Sequence, residues 1–364
     1  MNRRLFLLSA AASGVAGSLD ALPSMASVPA ASGARWREFE ITYRVTLAER
    51  TAPARLWLPL PHSAGEYQRS LGVEVRSTPV PVRLYQDAEY GAPILQAEWP
   101  TSGTEPTIEI AARVATRDRI YDPTGRTNLA GKGDAKELAF YLKPSSSMPT
   151  DGIVGETARK ITGGIPRPMD RARAIYDWVV DNTFRNPKTR GCGLGDIKFM
   201  LETGDLGGKC ADINSLYVGL ARAAGLPARE VFGIRCGTGQ VTKSLSVGGS
   251  NITRAQHCRA EVHIPGQGWI AVDPADVRKV VLEEDISIDS PHARMIRKRL
   301  FGSWEMNWVG FNYGRDFRLP GPGTQTKEPL GFFMYPHAET PKGPLDHLDP
   351  DAFTYQIRTR EITT

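Results

Sequence analysis

The stretch GGKCADINSLYVGLARAAGLPAR, Gly207 to Arg229, decides how the chain folds. Ile213, Leu216, Tyr217, Leu220 and Ala224 recur three or four residues apart, which is one face of an amphipathic helix turned toward a core. Gly225 followed by Pro227 is a stop signal, the glycine standing just past the last turn. Cys210 therefore lies in the first turn, behind Gly207, Gly208 and Lys209. A helix start carries unpaired N–H groups and the positive end of the helix dipole, both of which favour a thiolate over a thiol. The same donors suit an oxyanion, and Gly208 is a candidate for close approach by a substrate backbone. A buried structural cysteine is the bland alternative, and a helix start is the wrong place for one.

Downstream of this helix the pattern turns to strands. REVFGIRCG (Arg229–Gly237), HCRAEVHI (His257–Ile264) and GWIAVDP (Gly268–Pro274) are short apolar runs, the last two joined by a Pro-Gly-Gln-Gly turn. An antiparallel hairpin sets the beginning of one strand beside the end of the next. His257 and Asp273, sixteen residues apart, are thereby expected to be neighbours. A carboxylate on one imidazole nitrogen leaves the other nitrogen for a thiol. Taken alone, a histidine at a strand start reads as a surface or turn residue. The combination with Cys210 is what marks it. His263 shares the side-chain parity of His257 but lies nearer the far end of the strand, and His62, His292, His337 and His347 read as structural or surface groups.

Upstream, Asp151–Gly164 and Arg167–Thr183 carry helical spacing. In the second, Ala172, Ile175, Tyr176 and Val179 share a face, and Pro168 stands at the start, where proline is tolerated. A glycine-rich connection with Cys192 leads to Gly207, and it holds no phosphate-loop spacing. Residues 36–118 alternate apolar and polar positions with β-branched and aromatic enrichment, which predicts a β-sandwich. Residues 119–150 read as a linker, 151–345 as a helix-and-strand domain and 346–364 as a tail.

The 364-residue chain is 41% hydrophobic and 23% charged, with a formal net charge of +5. These are the proportions of a soluble globular protein. Basic residues are interspersed with acids and no basic block of five occurs, so a nucleic-acid partner is not expected. Residues 1–31 pair Arg3 and Arg4 with Leu5-Phe6-Leu7 and an Ala/Gly-rich run. That is the pattern of an export signal of the twin-arginine type, too short and weak for a membrane span. Export points to a periplasmic or otherwise extracytoplasmic site. The four cysteines, Cys192, Cys210, Cys236 and Cys258, form no CxxC, which argues against structural zinc and against a redox motif. Two disulfides, or a free Cys192 near a cleft, both fit the spacing. Trp304, Trp308, Phe311, Tyr313 and Phe317 read as the lid of a core or a stacking surface.

GGKCADINSLYVGLARAAGLPAREVFGI, HCRAEVHIPGQGWIAVDPAD, NWVGFNYGRDFRLPG and PLGFFMYPHAE together resemble bacterial transglutaminase-like proteins of the papain-like thiol enzyme superfamily. The resemblance runs from about residue 36 to 345 and is most specific over 205–276. It implies an α+β fold: a papain-like transglutaminase core behind an N-terminal β-sandwich. It also implies Cys210 as nucleophile, His257 as general base and acid, and Asp273 as orienting carboxylate. The implied activity is thiol-mediated acyl transfer at amide or peptide bonds, with hydrolysis expected over crosslinking because water is abundant outside the cytoplasm. A catalytically silent peptide-binding module is the competing reading. No metal and no organic cofactor is called for. The expected substrates are peptides, proteins or peptidoglycan-derived peptides. One departure stands out. The family commonly has His-x-Trp-x-Glu, and Arg259 here replaces the tryptophan. By strand parity Arg259 is expected either to make the pocket cationic or to pair with Glu261.

Overall fold

A computed structural model describes residues 35–47, 53–100, 106–124, 133–321, 329–351 and 353–362. The export signal read at 1–31 lies outside the described residues. From Arg35 on, the chain is one compact unit.

The N-terminal part is strand-rich. β1 (Arg37–Thr46), β2 (Ala54–Pro59), β3 (Gln68–Ser77), β4 (Val82–Gln86), β5 (Pro93–Trp99) and β6 (Thr107–Thr116) supply most of two antiparallel sheets. The alternation in β1 shows why. Phe39, Ile41, Tyr43 and Val45 are buried, while Glu38, Glu40 and Arg44 between them carry the polar face and its ion pairs. Tyr43 hydrogen-bonds the Pro59 carbonyl across the two sheets at 3.0 Å.

The segment read as a linker contains β7 (Arg119–Ile120) and α1 (Ala135–Phe140). Helices α2 (Gly152–Thr162) and α3 (Pro168–Asn182) follow, then β8 (Phe184–Arg185), α4 (Ile197–Thr203), β9 (Gly207–Gly208) and α5 (Cys210–Ala223). The four apolar positions expected to share a face of α3 are all buried, and Pro168 is its first residue. Every residue of α5 from Cys210 to Arg222 is buried, so α5 is the central helix rather than an amphipathic surface one. It ends as its sequence signals: Gly225 takes the left-handed conformation at φ +76°.

α5 packs on the four-stranded sheet β12-β11-β10-β14, made by β10 (Ala228–Arg235), β11 (Gln256–Ile264), β12 (Gly268–Val272) and, after α6 (Pro274–Glu283), α7 (Pro291–Arg299) and β13 (Ser303–Trp304), β14 (Trp308–Asn312). β10 and β11 are buried along their whole length, as central strands covered on both faces. Gly233, mid-β10, is required by close approach. A Cβ there would lie 2.1 Å from the Val309 carbonyl oxygen and 2.5 Å from the Trp308 ring.

The C-terminal part returns to the N-terminal sheets. β15 (Arg315–Phe317) and β16 (Leu330–Phe332) form a hairpin; β17 (His337–Thr340) and β18 (Gly343–Pro344) extend the sheet of β2; and β19 (Tyr355–Ile362) pairs with β1 along eight residues, from Glu38↔Ile362 to Val45↔Tyr355. The stretch read as a tail is therefore in part a strand of the first sheet. The tail reading missed it because an edge strand holding Arg358, Arg360 and Glu361 has only weak apolar alternation. No helix among the described residues is long and apolar enough to cross a membrane.

Candidate active site

The hairpin β11–β12 runs in register to Ala260↔Val272. Asp273, the next residue after β12, caps α6 by accepting the Asp276 N–H on Oδ1 at 3.0 Å. Its Oδ2 lies 2.8 Å from His257 Nε2. The hairpin argument thus places the two residues as expected. The Asp273 carboxylate lies on Nε2, and Cys210, at the first position of α5, lines the same cleft as His257.

Sequence reasoning missed a second carboxylate. Asp276, one turn into α6, approaches His257 Nε2 at 3.3 Å through Oδ1. Both its oxygens accept from the Arg235 guanidinium, at 2.9 and 2.7 Å. The signal was in the sequence: Asp276 stands three residues after a helix cap, on the face that the cap itself uses. His257, Asp273 and Asp276 are all buried, and their ligand-type atoms lie within 4.8 Å of one another. Such a trio has the composition of a cation site, but Arg235 and Arg259 already stand against its carboxylates.

The charges follow from this packing. Burial alone would push the His257 imidazolium down; the charges of Asp276 and Asp273 outweigh it and raise the group to about 10. Burial also works against Asp276, yet Arg235 and then His257 pull it well below the usual carboxylate range. Asp273 is raised by burial and by the charge of Asp276. The Cys210 thiol is held well below the ordinary thiol range. Hydrogen bonds from the Cys192 and Cys258 sulfhydryls do most of this, burial opposes them, and His257 adds to them.

All four cysteines are free thiols and all are buried. Cys192 reaches Cys210 because its glycine-rich loop wraps the start of α5. The Asp212 carboxylate accepts the Leu194 and Gly195 N–H groups at 3.0 and 2.9 Å and the Lys209 N–H at 3.0 Å. Gly193, at φ +91°, lies so close that a Cβ would fall on the Asp212 carboxylate. The Ala211 N–H is taken by the Cys192 carbonyl at 2.9 Å. Two donors expected to face an oxyanion, those of Lys209 and Ala211, are thus already committed. Tyr335 donates its hydroxyl to Cys192 Sγ at 3.1 Å.

The two pocket candidates sit elsewhere. Gly208 does not line the cleft beside Cys210. It is buried in β9, and a Cβ there would strike the Asp212 side chain at 2.4 Å, so its glycine makes room for the cap of α5. Arg259 does not line the cleft either, and it does not pair with Glu261. Its guanidinium is buried, 4.8 Å from the Trp308 ring centre and 5.3 Å from that of Trp304. It donates to the Glu305 carbonyl at 3.0 Å and lies 3.4 Å from Asp273 Oδ2. Glu261 is engaged by Arg119 and by Arg229 Nε, the latter at 2.5 Å. Parity put Arg259 on the face of His257 correctly; that face is covered by the two tryptophans. Trp308 Nε1 donates to the His257 carbonyl at 2.8 Å and Trp304 Nε1 to that of Val272 at 3.3 Å, so this aromatic cluster holds the backbone under the site.

The cleft encloses about 630 Å³. Cys192, Cys210, Gln256 and His257 form its floor, and Tyr335, His347 and Tyr355 from the C-terminal segment form one wall. His347, read as a surface group, stacks on Tyr335 with ring centres 4.9 Å apart.

With this geometry in hand, the comparisons with known proteins converge. Residues 155–274 match the transglutaminase-like superfamily profile. A Haemophilus influenzae protein of uncharacterised function is 37% identical over 342 residues, covering 89% of this chain and 91% of that one. The chain belongs to the transglutaminase-like superfamily. Among solved structures, a protein from Cytophaga hutchinsonii named as a candidate cysteine protease superposes with a TM-score of 0.54 at 16% identity, covering 91% of this chain and 92% of that one. The periplasmic domain of TgpA from Pseudomonas aeruginosa aligns at 15% identity with a TM-score of 0.36, covering 69% and 93%. The superfamily's α+β core, preceded by a strand-rich region, is the fold of this chain.

Proposed function

We infer that this chain is an exported cysteine enzyme that transfers acyl groups at amide bonds of peptides or proteins. Cys210 is the nucleophile, His257 the general acid and base, and Asp273 the orienting carboxylate. The observation that supports this reading most is the buried His257–Asp273 pair, with Nε2 and Oδ2 2.8 Å apart, His257 lining the same cleft as Cys210 at the start of α5. It gives one residue each for attack, proton transfer and orientation.

The steps follow from the charges. The Cys210 thiolate attacks the amide carbon, and the carbonyl electrons move to oxygen. The Cys210 backbone N–H is the amide of this turn left for that oxyanion, since Lys209 and Ala211 have given theirs away. The His257 imidazolium gives its proton to the departing nitrogen as the carbon–nitrogen bond breaks, leaving a thioester and a neutral imidazole. Water then loses a proton to His257 and attacks the thioester, releasing a carboxylic acid and restoring the thiolate–imidazolium pair. An amine in place of water yields a new amide. Hydrolysis is favoured on concentration, and peptidoglycan-derived peptides are among the substrates this reading admits. The export pattern of residues 1–31 supports a reaction outside the cytoplasm. The catalytic part, 151–345, takes part of one cleft wall, His347 and Tyr355, from the segment after it.

The test is the rate of Cys210 alkylation by iodoacetamide against pH, read by mass spectrometry on the Cys210 peptide, with His257→Gln alongside. An activated pair gives a midpoint well below the ~8.5 of a free thiol, shifted upward in the variant. A midpoint near ~8.5 that the variant leaves unchanged would favour a silent binding module.

A further inference from the structure

The lining of the cleft is cationic. Arg185, Lys209, Arg235, Arg254 and Lys279 line it, and no aspartate or glutamate among the described residues does. Arg235 is neutralised by Asp276, and Arg254 reaches the exposed Asp351 at 3.7 Å. The others are under-compensated. Arg185 and Lys279 share one carboxylate, Glu283, at 4.0 and 3.6 Å, and both side chains are only 17% exposed. Lys209 has no ion pair among the described residues.

These cations stand close to the reacting thiol by construction. Arg185 is paired in register with Gly208, two residues before Cys210, through the parallel bridge of β8 with β9. Lys279 follows Asp276 by one turn on α6, and α6 packs on β8. Arg185 and Lys279 converge on Glu283, and Lys279 stands one helical turn beyond the Asp276 that contacts His257. Holding two half-buried cations together against one carboxylate is unfavourable for folding alone.

We propose that the cleft selects acidic peptides, with Arg185, Lys279 and Lys209 receiving a substrate carboxylate next to the amide that Cys210 attacks. This rests on the thiol acyl-transfer reading and names its substrate class. It also relocates the positive charge that the Arg259 substitution suggested, from a side chain buried under tryptophans to three that open on the cleft.

The experiment compares two alkylating agents on the full chain, iodoacetate and iodoacetamide, which differ by one negative charge beside the reacting carbon. In the wild type, iodoacetate should be favoured at low salt and lose that advantage at high salt. In the double variant Arg185→Gln/Lys279→Gln the iodoacetate-to-iodoacetamide rate ratio at Cys210 should fall about tenfold. Glu283→Gln removes the competing carboxylate and should raise the ratio, which keeps the test available if the double variant folds poorly. A glutamyl tripeptide should slow iodoacetamide labelling at concentrations where its glutaminyl counterpart does not. A ratio unchanged by Glu283→Gln and by salt, or equal protection by the two tripeptides, overturns the proposal. The underlying reading fails by a different measurement, a free-thiol midpoint with iodoacetamide alone, so the two failures are distinguishable.

Discussion

Asp273→Asn tests which carboxylate holds the imidazolium. The substitution keeps the size of the side chain and removes a charge 2.8 Å from His257 Nε2. Taking the charge centres as ~4 Å apart and an effective dielectric near 20, that charge is worth about 4 kcal/mol to the imidazolium. This corresponds to about three powers of ten in protonation. Asp276 remains at 3.3 Å, but its charge is divided with Arg235. His257, raised to about 10 in the native protein, should then titrate near ~7 in the variant. The sign for stability follows. A group raised on folding stabilises fully below its unfolded value of 6.5 and loses that contribution as pH climbs through about 10. Wild-type stability should therefore decline between pH 6.5 and about 10, and the variant should show little of that decline above ~7. Asp273 also uses both oxygens, one for His257 and one for the Asp276 N–H, whereas asparagine has one acceptor, so the variant loses about 1 kcal/mol of cap. The assay is a proton–nitrogen NMR titration of the histidine rings, with His257→Gln assigning the signal. A variant that still titrates near 10 would show that Asp276 alone holds the imidazolium, and the Cys210–His257–Asp273 assignment would be wrong in its third member.

Four further outcomes are expected. Cys192→Ala removes the sulfhydryl that does most to hold the Cys210 thiol down and should move the alkylation midpoint up toward the free thiol value. Glu261→Gln leaves Arg119 and Arg229 buried without their shared anion and should lower stability by about 3–5 kcal/mol in denaturant titrations. In the wild type Glu261 is held down at about 2, so its contribution is complete above 4.5 and is lost between there and about 2, which acid unfolding followed by tryptophan fluorescence should register. Gly233→Ala forces a methyl onto the Val309 carbonyl and the Trp308 ring, and should cost about 3 kcal/mol or more and slow Cys210 labelling through the His257 backbone. Arg259→Met keeps the packing on Trp304 and Trp308 and should leave the iodoacetate-to-iodoacetamide ratio at Cys210 unchanged within about twofold.

The sequence exposed the central helix and the hairpin plainly, because both are local. Three-and-four spacing defines α5, and one turn fixes the pairing that brings His257 to Asp273. What it hid depends on contacts between distant segments. The burial of Arg259 follows from Trp304 and Trp308, which arrive from beyond α7. The approach of Cys192 follows from a loop held by Asp212, and the cleft wall from residues after 345 that read as a tail. Asp276 was within reach of local reasoning. Its position one turn past a helix cap places it beside whatever the cap residue touches.

The buried charges also explain why Cys210 belongs in its thiolate form. Around it stand three cations, His257, Arg235 and Arg259, and two carboxylates, Asp273 and Asp276, all nearly or wholly removed from water. These five groups carry one positive charge in excess, and Glu305 is a further buried carboxylate whose charge bears on Arg259. A thiolate at Cys210 adds its charge at the imidazolium end of this set. The helix start, the Cys192 and Cys258 sulfhydryls and the imidazolium all act in the same direction. Arg259 then has a role beyond packing. In place of a neutral tryptophan it supplies the third cation, 3.4 Å from Asp273, and shifts the balance of the whole set toward an anionic sulfur. Its charge bears on the buried network through Asp273, while Arg185, Lys209 and Lys279 line the cleft.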